Sequence, residues 1–336
     1  MGLASKVREA EKHEQQQMQQ QPSYTTVVPS APLEPAYVPS QYVQQPPLMT
    51  TFASSSSSSA IEREVEQKIR KCIAANGFAA LYPEHRIQET LARLRLVNWQ
   101  QKASQWKVPL ELVTDFAMLA LYDIALYADD SGSMTRDDRV DDLKMIIRMV
   151  SDICTAFDDD GIIVRFINSS AEGNGISTAG DVEQLISKVD FSGGTMIGTQ
   201  LERKLIQPFA STKQMKKPIL ILTITDGEPN GEPRDKLQHV IENSVRQTMS
   251  NGFGPKAVAF AFVQVGRDGA AERYLDELDN LSTRVNGFEV GKTVDCTSYY
   301  EQEEEQFKRK GVSLNQGLYL LKMLLGAVDE SYDDMD

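Results

Sequence analysis

Short apolar runs alternate with longer segments that carry an apolar residue every three or four positions in the second half of the chain. The runs are typical of strands buried on both faces, and the periodic segments are typical of amphipathic helices. The predicted strands cover residues 124–128, 161–167, 218–225 and 257–265, and the predicted helices cover residues 139–157, 181–189, 198–210, 233–249 and 270–281. This alternation predicts an α/β fold with a mostly parallel sheet, right-handed connections and helices on both faces.

Helical segments are also predicted before and after this region. A first helix begins near residue 61 and ends near Asn76, because Gly77 is typical of a helix end. A second helix near residues 84–105 carries tryptophans close to its apolar stripe, and Pro109 opens a third. We expect the tryptophans to dock this helical preface onto itself or onto the sheet. A closing helix near residues 313–328 is apolar and is expected to pack on the domain.

The first sixty residues have a composition that cannot bury a core. Glutamine runs, scattered prolines and the serine run at residues 54–59 predict disorder. The start, Met1 to Lys6, comes close to a myristoylation signal. The signal requires Ser or Thr at position 6, but this chain has its serine at position 5 and a lysine at position 6. Lipid anchoring at the N-terminus is therefore kept only as an alternative to a plain start.

Composition thus divides the chain into four predicted segments. They are a disordered Gln/Pro/Ser-rich arm (1–60), the helical preface (61–117), the α/β domain (118–312), and a C-terminal helix with an acidic tail (313–336).

Three oxygen-bearing side chains follow the buried run at residues 124–128. Asp129, Ser131 and Ser133 stand where a strand ends, and ligands of parallel sheets gather at the carboxyl ends of strands. Taken alone, the two serines could equally be turn residues or helix caps. The neighbouring acids, Asp130, Asp137, Asp138 and residues 158–160, are interpreted as solvated loop charges.

Two further oxygen ligands follow contexts that bring them to the same edge. Thr195 comes after a pair of glycines that permit close backbone approach, and Asp226 ends the predicted strand at residues 218–225. Two carboxylates and three hydroxyls, with no Cys or His nearby, form an all-oxygen set. Such a set favours a hard cation, Mg²⁺ first, with Mn²⁺ or Ca²⁺ as alternatives.

In type, order and predicted element, these residues resemble the metal-ion-dependent adhesion site (MIDAS) of von Willebrand factor A (VWA) domains. The matching residues are Asp129, Ser131, Ser133, Thr195 and Asp226. The resemblance covers roughly residues 120–300 and is specific, because all five positions match in order.

The resemblance implies a doubly wound, Rossmann-like sheet with Mg²⁺ at its upper edge. The two serines would bind the ion directly, Thr195 would bind directly or through water, and the two aspartates would act largely through water. An Asp or Glu of a partner protein would complete the octahedron. The implied function is metal-dependent binding without turnover.

Two alternatives from other classes remain open. A Mg²⁺-dependent phosphoryl-transfer hydrolase could use Asp129 and Asp226, but a haloacid-dehalogenase type of site requires a second carboxylate two residues after the first, where Ser131 stands. None of the three histidines lies beside a motif for a Ser-His-acid arrangement, and no phosphate-binding glycine loop is present. We therefore predict no enzymatic activity. The second alternative is a scaffold whose binding is carried by the helical preface.

The charge and the cysteines of the chain limit which binding partners and which cellular compartment are expected. Residues after 110 carry 39 acidic and 23 basic side chains, so nucleic acid is a poor partner. The three cysteines are odd in number and widely spaced, which disfavours a disulfide framework. The polar start lacks a secretory leader and no apolar run is long enough to span a membrane, so the expected location is cytoplasmic.

Overall fold

The computed structural model describes residues 2–20, 53–157, 160–210, 213 and 215–332. Its centre is a six-stranded sheet with the order β3-β2-β1-β4-β5-β8. All neighbouring strands are parallel except the edge pair β2 and β3, which is antiparallel. The bounds of the strands are β1 Asp123–Ala128, β2 Ile162–Phe166, β3 Glu172–Ile176, β4 Ile219–Thr225, β5 Val258–Gln264 and β8 Val294–Thr297, with a separate two-stranded hairpin of β6 Arg284–Val285 and β7 Phe288–Glu289.

Helices cover both faces of the sheet. Every residue of β4 and β5 is buried, and because successive side chains point to opposite faces, both faces must be covered. The helices are α1 Leu3–Gln20, α2 Ala53–Asn76, α3 Glu84–Leu94, α4 Trp99–Trp106, α5 Leu110–Val113, α6 Arg139–Cys154, α7 Ala179–Ile186, α8 Ile197–Leu201, α9 Lys236–Ser250, α10 Gly269–Asp279, α11 Tyr300–Arg309 and α12 Gln316–Leu325. Helix α8 continues as a π-helix over Glu202–Ala210, and a 3₁₀ segment, Thr114–Leu121, leads into β1.

The predicted α/β fold is confirmed, and each predicted strand and helix of the sheet domain is present with ends shifted by a few residues. Sequence patterning missed β3, β8, the hairpin and α11. Strand β3 contains two glycines and only two of its five residues are buried, so it lacks the apolar pattern of a buried strand. Strand β8 has only four residues, too few for a clear pattern.

The helical preface differs in detail from its prediction. Helix α2 starts at Ala53, within the segment expected to be disordered, and the single helix expected near residues 84–105 is two helices, α3 and α4. The break occurs because Asn98 caps α4, its Oδ1 accepting from the Gln101 amide at 3.1 Å. The expected docking by tryptophans is confirmed. Trp99 stacks on Phe157 with ring centroids 5.6 Å apart, beyond the end of α6.

The N-terminal helix α1 is the clearest departure from the predicted arm. Leu3, Val7 and Ala10 are buried, so the start of the chain packs against the domain. Their spacing of four and three residues forms one apolar face, which the polar composition around it obscured. Lys6 also lies over the Tyr332 ring, 3.7 Å from its centroid. The disorder predicted for residues 21–52 falls outside the described residues.

The C-terminal helix packs on the domain as predicted. Nine of the ten residues of α12, all except Gln316, are buried, and Lys322 Nζ lies 2.7 Å from Glu303 Oε2 in a buried ion pair. In the acidic tail, Tyr332 is buried and its hydroxyl donates to Asp115. Among the described residues, no helix is long and apolar enough to cross a membrane.

Gly198 allows α8 and α9 to approach closely, beside the loop that carries Thr195. A Cβ on Gly198 would lie 2.7 Å from the Leu237 amide nitrogen and 2.8 Å from its Cα, and backbone cannot yield as a flexible side chain can. We expect Gly198→Ala to lower the free energy of unfolding by about 1–3 kcal/mol through this overpacking. Urea unfolding of the full chain measures the change.

Gly180 in helix α7 is the matched control for Gly198. A Cβ there would meet only Thr178 Oγ1, at 3.7 Å, which is ordinary contact. Gly180→Ala should be neutral or slightly stabilising, since alanine favours the helix and restricts the unfolded chain. Equal stability of the two variants would show that the approach of α8 to α9 is not limited by Gly198.

Candidate metal centre

The carboxylate of Asp129 lies at the centre of the candidate site. Its amide donates to Ile224 O at 2.8 Å, which continues the pairing of β1 with β4 beyond the last strand residue. Its Oδ1 accepts from the Ser131 amide at 2.8 Å, and its Oδ2 accepts from Thr225 Oγ1 at 2.7 Å. The end of β1 and the end of β4 are therefore fixed to one another through this side chain.

Above Asp129, three side-chain oxygens form a connected row. Ser131 Oγ lies 3.0 Å from Ser133 Oγ, and Ser133 Oγ donates to Asp226 Oδ1 at 2.9 Å. Ser131 and Asp226 are each 2% exposed, so this row of oxygens is largely buried at the edge of the sheet. Residues 93 positions apart in the chain, Ser133 and Asp226, thus meet as their strand ends predict.

The loop that carries Thr195 is held to the same edge by backbone hydrogen bonds. The Ser192 amide donates to Asp130 O at 2.8 Å, and the Gly132 amide donates to Gly193 O at 3.3 Å. Thr195 itself exchanges two backbone hydrogen bonds with Asn230, at 3.2 and 3.0 Å, in the loop after Asp226. The structure therefore brings all five sequence-predicted residues to one edge, with Thr195 placed through its loop.

Burial strongly affects the charge of Asp129. The pKa of Asp129 is raised to about 6, chiefly by burial and also by the nearby Asp226, while hydrogen bonds from Thr225 and Ser131 oppose the shift. Ionisation at neutral pH is thus unfavourable relative to an exposed aspartate. A bound cation would offset that cost, because opposite charge favours the ionised form.

The donor set fits a small, hard cation. Mg²⁺ binds oxygen at about 2.0–2.1 Å in an octahedron, so neighbouring ligand oxygens lie about 3 Å apart. The two observed separations along the row, 3.0 and 2.9 Å, match that value. Within the described part of the chain, no group of three or more His, Cys, Asp and Glu side chains could hold a metal. An ion here would therefore depend on the hydroxyls and on water.

The interpretation of Asp130 as a solvated loop charge is wrong. Its side chain is fully buried, and its carboxylate accepts from the amides of Asn168 and Ser169, both at 2.7 Å. Asn168 in turn donates to Gly194 O at 2.9 Å, next to Thr195. Asp130 therefore supports the site by holding the loop between β2 and β3, which contributes Asn168, against the loop that carries Gly194 and Thr195.

Arg139 and Glu232 are site residues that sequence reasoning missed. Arg139 forms an ion pair with Asp226 and also donates to Ser133 O at 3.3 Å. The carboxylate of Glu232 accepts from the amides of Gly198 and Thr199, at 2.7 and 2.8 Å, and so caps the first turn of α8. Neither residue belongs to a local motif, so only their three-dimensional partners identify them.

Comparisons with solved structures were made for the whole chain. Similar structures include the SpRpn10 VWA domain, with 12% sequence identity, coverage of 60% of this chain and 93% of that chain, and a TM-score of 0.35. Proximal thread matrix protein 1 from the mussel byssus matches with 19% identity over 56% of this chain and 46% of that chain, with a TM-score of 0.37. The ArnB paralog VWA2 from Sulfolobus acidocaldarius matches with 14% identity over 44% of this chain and 36% of that chain, with a TM-score of 0.26.

Protein-family models and the curated proteins return no match to this chain. The resemblance in the sequence implies a doubly wound, mostly parallel sheet, and the observed sheet with helices on both faces agrees with it. The central part of the chain is an α/β domain with this doubly wound architecture.

Proposed function

We propose that this protein is a non-catalytic interaction module in which a divalent ion captures an acidic side chain of a partner protein. Mg²⁺ is the first choice, with Mn²⁺ or Ca²⁺ as alternatives, and the ligands would be Asp129, Ser131, Ser133, Thr195 and Asp226. The observation that supports this most is the row of three oxygens at octahedral spacing above a buried carboxylate. We also propose a cytoplasmic location.

The chemistry of these ligands suits capture of an anion. Hydroxyl ligands are neutral, so an ion held by few carboxylates keeps a strong attraction for one more. Mg²⁺ also releases water reluctantly and binds further ligands only when they are strong, as carboxylates are. An Asp or Glu on a partner would therefore gain more here than a neutral side chain would.

The surroundings of Asp129 disfavour the phosphoryl-transfer alternative. Both carboxylate oxygens already accept hydrogen bonds, from Ser131 and Thr225, and the side chain is fully buried. A nucleophilic carboxylate must approach phosphorus with a free oxygen. We therefore propose binding without turnover, and generic phosphatase assays of the wild-type chain with Mg²⁺ should give no release above background.

Thermal unfolding of the full chain tests the proposed metal site. At a free Mg²⁺ concentration of about 100 times Kd, binding stabilises the folded state by about 2.7 kcal/mol. For a domain of this size the melting temperature should then rise by about 5–10 °C relative to EDTA. Partner capture from a cell lysate, identified by mass spectrometry with Mg²⁺ and with EDTA, tests the second half of the proposal.

Substitutions separate the metal site from general effects of Mg²⁺. The double variant Asp129→Asn with Asp226→Asn should lose both the thermal shift and the capture. Asp141→Asn is the matched control, because Asp141 is exposed on α6 and its carboxylate pairs with Lys144, at 3.4 Å. A thermal shift that persists in the double variant would refute the site, and capture that survives EDTA would favour a scaffold.

A further inference from the structure

A fixed positive charge lies against the candidate metal ligands. The Arg139 guanidinium contacts Asp226 through Nη1, and the same nitrogen donates to Ser133 O at 3.3 Å. Two of the five proposed ligand residues therefore share this cation. The Arg139 side chain is only 13% exposed, so water screens its charge weakly.

The guanidinium is incompletely satisfied in this position. Arg139 Nε is buried and has no hydrogen-bond partner within the described part of the chain. Gly266 provides the space for it, since a Cβ at Gly266 would lie 2.7 Å from Nε. A buried N–H without a hydrogen-bond partner destabilises the folded state. Arg139 therefore contacts Asp226 from a position that leaves the Nε–H of the same guanidinium unsatisfied.

Arg139 changes the net charge of the candidate site. The two proposed carboxylate ligands, Asp129 and Asp226, carry two negative charges when ionised, and Arg139 leaves a net charge of minus one. A divalent ion would then make the site net positive, which weakens its own binding and strengthens the attraction for a further carboxylate.

We infer that Arg139 is a built-in counter-cation that competes with the divalent ion for Asp226 and makes metal binding depend on an acidic partner. The inference rests on the proposed function, and it adds how the site is regulated. Metal alone binds weakly because it must displace or tolerate Arg139. The partner's carboxylate restores the charge balance, so ion and partner strengthen each other's binding by the same factor.

The neighbouring cavity offers Arg139 a second position. A cavity of about 710 Å³ adjoins the site, and Arg139 lines it together with Asp137, Asp138 and Asp142. Arg139 Nη2 already lies 3.8 Å from Asp137 Oδ2. When an ion takes Asp226, the guanidinium can turn toward these carboxylates without losing all of its ionic partners.

Mn²⁺ titration of the full chain, followed by electron paramagnetic resonance, tests the inference. Arg139→Gln should bind Mn²⁺ at least about tenfold more tightly than the wild type, because a nearby positive charge is removed from a poorly screened site. In EDTA the same variant should melt at a lower temperature, since Asp226 loses its ion pair, and its thermal shift with Mg²⁺ should exceed that of the wild type. Arg136→Gln is the matched control, an exposed arginine three residues away, and should leave all three values unchanged.

The outcomes distinguish this inference from the proposed function. If the wild type binds Mn²⁺ and Arg139→Gln binds it equally or more weakly, the proposed function stands and the inference is wrong. If neither protein binds Mn²⁺, both fail. Arg139→Met, which keeps part of the aliphatic stem, repeats the test should Arg139→Gln not fold. Loss of the fold in both variants would overturn the inference, because Arg139 would then be needed for structure itself.

Discussion

Asp129→Asn should abolish the stabilisation by Mg²⁺ while leaving the fold intact. The amide oxygen can still accept from the Ser131 amide, now held at 2.8 Å. The amide nitrogen can donate to Thr225 Oγ1, whose own proton can turn to Gly227 O, 3.3 Å away. The change therefore removes the charge while the Ser131 amide and the Thr225 hydroxyl both keep a partner, and differential scanning calorimetry with Mg²⁺ and with EDTA measures both effects.

The pH dependence of stability gives the same variant a second signature. Because the folded-state pKa of Asp129 is raised to about 6 from its ordinary value of 3.8, the folded protein binds more protons than the unfolded chain between these values. In EDTA this group then lowers the stability of the wild type as the pH rises from about 4 to 6, by on the order of 3 kcal/mol. Asp129→Asn lacks that loss.

Asp129→Ala is the comparison that separates charge from hydrogen bonding. Alanine removes both acceptors and leaves the Ser131 amide and the Thr225 hydroxyl without partners, so this variant should be less stable than Asp129→Asn at every pH. Parallel pH profiles of the wild type and Asp129→Asn in EDTA would contradict the assigned cost of the buried charge. A Mg²⁺ shift of wild-type size in Asp129→Asn would contradict its role as a ligand.

Asp130→Ala should lower the free energy of unfolding by roughly 3 kcal/mol, although the sequence suggests an exposed charge. Its carboxylate accepts from two backbone amides and, at 3.2 Å, from Asn168 Nδ2. Removing it leaves these donors unpaired. Lys204 is affected too, because burial lowers the pKa of Lys204 and Asp130 opposes that shift. Urea unfolding in EDTA measures the effect without a contribution from metal.

Asp130→Asn is the graded control for this prediction. Its one remaining acceptor can serve Asn168 or Ser169 but not both, so the loss should lie between that of Asp130→Ala and zero. Asp141→Ala, at an exposed acid on α6, should stay within about 0.5 kcal/mol of the wild type. If Asp130→Ala also stays within that limit, the carboxylate is effectively solvated and its hydrogen bonds contribute little.

Both predictions concern adjacent residues for which sequence reasoning gave opposite roles. The sequence predicts a ligand at Asp129 because Ser131 and Ser133 follow it at alternate positions, whereas no neighbouring residue indicates a role for Asp130. The structure buries both carboxylates completely. The reason lies in residues 38 and 39 positions further along, Asn168 and Ser169, whose amides face Asp130. No local pattern records that pairing.

The sequence alone was sufficient for the central strands and for the set of candidate ligands. Strands β1, β4 and β5 are covered on both faces, so most of their residues are apolar, and that requirement can be recognised in the sequence. Parallel strands end at a common edge, so residues that follow them can be placed together without knowing any contact. This is why Ser133 and Asp226 meet as predicted.

Tertiary structure decided what depends on partners distant in the chain. Helix α1 packs because its few apolar residues are buried against the domain and Lys6 lies over the Tyr332 ring, and β3 is a strand because β2 offers it an edge, although neither sequence has a strong pattern of its own. Arg139 pairs with the proposed ligand Asp226 only because α6 begins beside the end of β4. The apolar pattern thus determined the sheet and the residues at its edge, whereas the charges that set the strength of the site follow from three-dimensional pairings of polar groups, which residue type and spacing do not specify.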